Sequence, residues 1–311
     1  MSRLRVAFFG SPDFAVPVLD ALHAEFDVVL VTTQPDRPAG RGMRVSSPAA
    51  ARRAQELGLS VAQPGRLRRD EGFSALLREI RPDVAVTAAY GQILPQGLLD
   101  IPEHGFLNVH ASLLPHLRGA APIQWALIRG DTETGITIMQ TEAGLDTGPV
   151  RHQVRTQIGA HETAPELFAR LSVLGATAIT EALRLLGAGR LPSVPQDDSR
   201  ATHAPMLKRE DGLLDFTGPA PASYNRFRGV FAWPGTFFRH LGSDIKVHAL
   251  SPRIEDGPAP GTVLSVDSDG VSVAAARGSL LLQQVQAPGK RRMHARDWAN
   301  GAVIRPGDML S

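Results

Sequence analysis

The chain has 311 residues, 43% hydrophobic and 21% charged, a balance that supports one or two packed cores and excludes extensive disorder. Cysteine is absent, which removes a disulfide framework, a thiolate metal site and a Cys nucleophile together. The net charge is only +2, from 33 basic against 31 acidic residues, yet 30 of the basic residues are Arg and they are unevenly spread.

Met1 to Arg5 leads into only a short apolar run, Val6 to Phe9, which is not a signal peptide, and no stretch approaches the ~18 apolar residues of a membrane span. A soluble, cytoplasmic protein is expected. Residues 4–9 (LRVAFF) read as a buried strand, and Gly10-Ser11-Pro12-Asp13 as a turn into a helix with Phe14, Val18, Leu19 and Leu22 on one face, which Pro17 weakens. Residues 27–32 form a second β-branched run. A loop, QPDRPAGRG (34–42), precedes a helix from about Pro48 to Leu57. Between Arg37 and Arg69 stand eight Arg and a single acid, Glu56, so a polyanion can dock there.

Leu76, Leu77 and Ile80 mark another helix, 83–88 a third strand, and 106–109 and 135–140 two further runs. Strands alternating with helices predict a doubly wound, mostly parallel α/β sheet of Rossmann-like type. A helix over 163–187 is followed by 188–206, rich in Pro, Ser, Asp and Gly, which reads as a linker. Beyond it, short segments at 236–239, 245–250, 262–266, 270–275 and 279–285 alternate with Gly, Pro and Asp turns, a spacing that suggests a small antiparallel barrel or sandwich. The second basic cluster, Lys290, Arg291, Arg292 and Arg296, lies there. The expected division is 1–187, a linker at 188–206, and 207–311.

Three places carry polar groups suited to chemistry. The first turn lacks G-x-G-x-x-G, and Pro12 removes a backbone donor, so a tight strand-to-helix connection is favoured there over a phosphate site. At 106–119 (FLNVHASLLPHLRG), Asn108 and His110 stand two apart on a strand end and share one side of the sheet. An amide and an imidazole beyond a strand's carboxyl end can polarise a carbonyl and move a proton. Either residue alone is equally compatible with a structural role. At 140–149 (QTEAGLDTGP), Asp146 sits in a Gly-bounded loop, where a carboxylate taken singly is more often a turn former.

Together, N-x-H-x-S-L-L-P-x-x-R-G at 108–119 and G-x-D-T-G at 144–148 resemble the 10-formyltetrahydrofolate-dependent formyltransferase family. FFGSPDFAVPVL (8–19), TQPDRPAGRG (33–42), AYGQILP (89–95), RGAAPIQWALIRGD (118–131), WPGTFF (233–238), APGTV (259–263) and QAPGKRRM (286–293) extend the likeness along nearly the whole chain. The resemblance implies a Rossmann-like catalytic domain, an OB-like C-terminal domain and a monomeric enzyme without metal. It implies Asn108, His110 and Asp146 as catalytic residues, and Ser112, Leu113, Leu114 and Pro115 as the segment that meets the folate co-substrate. Asn108 would bind the formyl oxygen and His110 would donate to the oxyanion or shuttle a proton. Asp146 would orient His110 or, through a water, help take the amine proton. The 33–42 loop and the C-terminal domain fit members whose acceptor is initiator methionyl-tRNA, with Arg37, Arg41, Arg44, Lys290, Arg291 and Arg292 as tRNA contacts. The same two features argue against an amino sugar nucleotide acceptor and against a hydrolase that releases formate.

Overall fold

The computed structural model of the protein describes residues 3–39 and 44–310. They divide into two compact units: Met1–Pro122, Glu133–Gln157 and Phe168–Ala204 form the first, and Ile123–Thr132, Ile158–Leu167 and Pro205–Ser311 the second. In chain order, β1 (Arg5–Gly10), α1 (Ala15–Glu25), β2 (Asp27–Thr32), β3 (Arg37–Ala39) and β4 (Arg44–Ser46) come first. Next are α2 (Ala49–Glu56), β5 (Val61–Ala62), α3 (Glu71–Ile80), β6 (Val84–Ala88), α4 (Gln96–Leu99) and β7 (Phe106–His110). After α5 (Pro122–Arg129) follow β8 (Glu133–Gln140), β9 (Val150–Gln157) and the long helix α6 (Ala164–Gly187).

The first unit is built on one seven-stranded sheet in the order β5-β2-β1-β6-β7-β8-β9. The strands from β5 to β7 run parallel. β8 and β9 turn antiparallel, with Asn108 opposite Met139 and His110 opposite Thr137. The sheet is thus mostly parallel, with an antiparallel edge that the run at 135–140 did not announce. Val6 to Phe9 are fully buried because a parallel strand is covered on both faces. Phe9 meets Phe73, Tyr90 and Phe106 at ring distances of 5.1–6.0 Å. From β1 the chain moves outward to β2 and β5, then returns to β6 on the other side of β1. Open α/β sheets bind ligands beyond the carboxyl ends of strands at such a reversal.

Local chemistry explains the turn at that reversal. A Cβ on Gly10 would lie 2.6 Å from the Ala15 Cβ and 2.9 Å from the Ala88 carbonyl oxygen, so only glycine lets β1 close onto α1 and β6. Pro17 is tolerated because it falls in the first turn of α1, where an N–H has no helical partner to lose. Asp70 caps α3 by accepting from the Phe73 N–H at 2.9 Å.

Of residues 188–206, expected as a linker, 188–204 count with the first unit and 205–206 with the second. Val194 and Val150 exchange two backbone hydrogen bonds of 2.8 and 2.9 Å. The Arg118 N–H donates to the Thr202 carbonyl at 2.8 Å, and the Ala204 N–H to the Arg118 carbonyl at 2.7 Å. Polar, Pro-rich composition reports an extended and solvated backbone; it does not report whether that backbone is tied down.

The second unit adds α7 (Ala220–Gly229), β10 (Thr236–His240), β11 (Ser243–Arg253), β12 (Val263–Val266), β13 (Val271–Ala274), β14 (Ser279–Gln286), β15 (Met293–His294) and α8 (Ala295–Gly301). Its antiparallel path is β10-β11-β14-β13-β12, with β15 on β14. Each of the five predicted segments is a strand here. Phe238, Val247, Val273, Leu282 and Trp298 are among the residues of its own core. Among the described residues no helix is long and apolar enough to cross a membrane.

Candidate active site

β7 ends the parallel part of the sheet and carries Asn108 and His110 toward one side. The Thr87 hydroxyl, at the end of β6, donates to Asn108 Oδ1 at 2.8 Å. With its oxygen occupied, the Asn108 amide keeps its NH2 donors for another partner. His110 is 5% exposed, and its Nε2 lies 3.0 Å from the Leu117 carbonyl oxygen. A carbonyl only accepts, so Nε2 carries the proton and Nδ1 is the nitrogen left for chemistry. Asp146 Oδ2 stands 3.8 Å from that Nδ1, and the same oxygen accepts the Gly119 N–H at 2.8 Å. An imidazole and a carboxylate 36 residues apart in sequence thus approach each other at the carboxyl end of β7, and the Asn108 amide stands two residues before His110 on the same side of the strand.

The loop that brings Asp146 there depends on its flanking glycines. A Cβ on Gly148 would collide with the Gln140 carbonyl oxygen, and one on Gly144 with the Thr147 hydroxyl. Asp146 itself sits at φ +52°, a left-handed conformation in which Asp is one of the better tolerated side chains.

Ser112, Leu113, Leu114 and Pro115 form the next turn. The Ser112 hydroxyl, fully buried, donates to the His116 carbonyl at 2.6 Å. Thr137 on β8 donates to the Ser112 carbonyl at 2.6 Å and accepts from the Leu114 N–H at 3.1 Å and from Gln153 Nε2 at 2.9 Å. Gln153 also donates to the Leu114 carbonyl at 3.2 Å. These backbone groups are thus satisfied inside the protein, and the turn is held in shape by a buried threonine. Thr137→Val keeps the shape but strands these partners. It is expected to cost about 1–3 kcal/mol of stability, read as a lower unfolding midpoint by circular dichroism; an unshifted midpoint would show that the turn finds other partners.

Arg37 opens the β3–β4 hairpin within 34–49, is exposed, and donates to Gln34 Oε1 at 3.2 Å. Arg41 lies outside the described residues, and Arg44 is described by its backbone alone, on β4. The base of the hairpin is pinned. Gln34 donates to the Tyr90 carbonyl at 3.0 Å, and Asp36 accepts from Gln63 and Ser47 at 2.7 and 2.8 Å. The Gln63 amide, and then the Ser47 hydroxyl, hold the Asp36 carboxyl below its ordinary range. Lys290, Arg291 and Arg292 are exposed in the second unit, where Arg292 Nη2 donates to His248 Nδ1 at 3.0 Å.

Sequence reasoning missed Thr87, Thr137, Gln153 and Gln196, which touch the proposed site residues or their loops. Thr87 and Thr137 interrupt apolar strands, the one signal that pointed at them; Gln153 and Gln196 stand in polar stretches that gave none.

Known proteins share this organisation. Residues 4–183 match the family model described as formyl transferase, and residues 206–303 the one described as formyl transferase, C-terminal domain. A methionyl-tRNA formyltransferase of Deinococcus radiodurans is 51% identical over 303 residues, covering 97% of this chain and 94% of the relative. One from Thermus thermophilus is 48% identical over 310 residues, covering 99% of each. Among solved structures, WlaRD, a sugar 3N-formyl transferase crystallised in the presence of dTDP and 5-N-formyl-THF, superposes with a TM-score of 0.69 at 15% identity. That match covers 94% of this chain and all of that one. HypX from Aquifex aeolicus, in complex with tetrahydrofolic acid, gives a TM-score of 0.63 at 15% identity, over all of this chain and 51% of that one.

Proposed function

The chain belongs to the formyl transferase family, and from that we infer that it moves the formyl group of 10-formyltetrahydrofolate onto the methionine α-amine of initiator methionyl-tRNA. The observation that carries the chemistry is the approach of Asp146 to His110 at the carboxyl end of β7, with Asn108 on the same side of that strand. The full-length identity to methionyl-tRNA formyltransferases, against 15% to the sugar enzyme, supports the acceptor.

In this reading the amine attacks the formyl carbon and the carbonyl electrons move onto oxygen. Asn108 Nδ2 donates to the oxyanion; one such donor is worth about 3–4 kcal/mol. His110 Nδ1 takes the amine proton, and the Asp146 carboxylate steadies the imidazolium so formed. Collapse restores the carbonyl, breaks the bond to N10, and returns the proton to N10. Ser112, Leu113, Leu114 and Pro115 wall the folate by shape, since their polar groups named above are engaged internally.

The first unit is the catalytic domain and the second an OB-like tRNA-binding domain, with tRNA contacts at Arg37, Arg41 and Arg44 and at Lys290, Arg291 and Arg292. Removing one phosphate contact lowers the slope of log affinity against log salt by about 0.7–0.9. Arg41→Ala is expected to do so with turnover at saturating tRNA preserved, as salt-dependent binding titrations will read; an unchanged slope removes Arg41 from the contacts. The enzyme acts as a cytoplasmic monomer, which light scattering tests.

One assay decides the activity. The protein is given 10-formyltetrahydrofolate with either charged initiator tRNA or an amino sugar nucleotide, and folate release and N-formylation are followed. Formylated methionyl-tRNA is expected. Formylated sugar alone, or folate consumed without an acceptor, overturns the reading.

A further inference from the structure

We propose that Gln196 is a positioning residue for formyl transfer, clamping the Asp146 loop to the buried guanidinium of Arg118. This rests on the reading of Asp146 as part of the reacting site. Both hydrogens of the Gln196 amide are engaged on the loop: Nε2 donates to the Asp146 carbonyl at 2.8 Å and to the Gly148 carbonyl at 2.7 Å. Its oxygen accepts from Arg118 Nε at 3.0 Å and Nη2 at 2.8 Å. Arg118 is 5% exposed, and its Nη2 reaches Asp198 at 2.7 Å. The next residue, Gly119, donates its N–H to the Asp146 carboxylate. One dipeptide therefore grips the loop twice, directly at the carboxylate and through Gln196 at the backbone.

The loop needs such a hold. Asp146 is at φ +52°, and left-handed backbone on a side chain other than Gly persists where surrounding contacts enforce it. Relaxation of that residue swings its carboxylate away from His110 Nδ1, from a starting distance of 3.8 Å. Gln196 comes from the stretch whose composition reads as a linker, and the backbone bonds of Val194 and Ala204 frame it on the first unit.

Gln196→Leu keeps the volume and removes all four hydrogen bonds. Misplacement of a catalytic group by about 1 Å costs on the order of 10²-fold in rate, so kcat is expected to fall by roughly 10- to 100-fold, with KM for folate and tRNA within about 3-fold of wild type. In the Asp146→Ala background the same substitution is expected to change kcat by less than about 2-fold, because residues acting through one another are not additive. A loss of equal size in both backgrounds overturns the proposal. Hydrogen exchange needs no substrate: amides at 141–149 are expected to lose protection in Gln196→Leu while β1 and β6 keep theirs. Unchanged exchange there also overturns it. Wild-type turnover with charged tRNA tests the activity separately, so a failed acceptor assignment is told apart from a failed clamp.

Discussion

His110→Gln is expected to lower kcat by about 10²- to 10⁴-fold, the range for loss of a positioned proton-transfer group, with the fold unchanged. The choice of glutamine follows from the geometry. A glutamine amide reaches the height of the imidazole Nε2 and can still donate to the Leu117 carbonyl, now bonded at 3.0 Å. It offers nothing at the place of Nδ1, the nitrogen that faces Asp146 at 3.8 Å. The substitution therefore removes the proposed proton acceptor and leaves its anchor. His110→Asn reverses the pattern, placing an amide near Nδ1 and abandoning Leu117, and it too is expected to be slow because an amide is not a base. Single-turnover formyl transfer and tRNA binding check both variants. If His110→Gln retains more than about a tenth of the wild-type rate, where at least 10²-fold loss is the norm for such a group, Nδ1 is not the proton acceptor.

Much of this site was legible because strand periodicity is a geometric rule. Two residues apart on β7 put Asn108 and His110 on one side whatever the rest of the sheet does. The Gly-bounded loop put Asp146 just past β8, although its partnership with His110 became visible only through resemblance. Direction was not legible: a buried run such as Ile136 to Met139 has the same composition whether its strand is parallel or antiparallel. β9 was missed because its sequence, VRHQVRTQ, is an edge strand with few apolar positions. The tethering of 188–204 was hidden for a related reason. Its holds are backbone hydrogen bonds and one amide side chain, neither of which leaves a hydropathy pattern. In the second unit the alternating strands were readable, while α7 and α8 are short and offer few large apolar positions to mark a helical period.

Asn108→Ala is expected to cost 10²- to 10³-fold in kcat, the usual price of one oxyanion donor and about 2.7–4 kcal/mol of transition-state binding, with tRNA affinity unchanged. The donor matters only if the amide points the right way, and Thr87 biases that. Its hydroxyl donates to Asn108 Oδ1 at 2.8 Å, whereas a flipped amide would donate to the Thr87 oxygen and leave the hydroxyl only the Leu107 carbonyl, at a long 3.5 Å. Thr87→Val removes the selector without altering shape. The amide then samples both orientations, and kcat is expected to fall by several-fold, of the order of one lost neutral hydrogen bond at about 0.5–1.5 kcal/mol. Asn108→Asp is the sharper control, because an oxygen replaces the donor and its charge opposes the oxyanion. Its rate should lie at or below that of Asn108→Ala. Faster transfer by Asn108→Asp than by Asn108→Ala would show that the side chain at 108 serves as a base and not as a donor, and would reverse the roles assigned to Asn108 and His110.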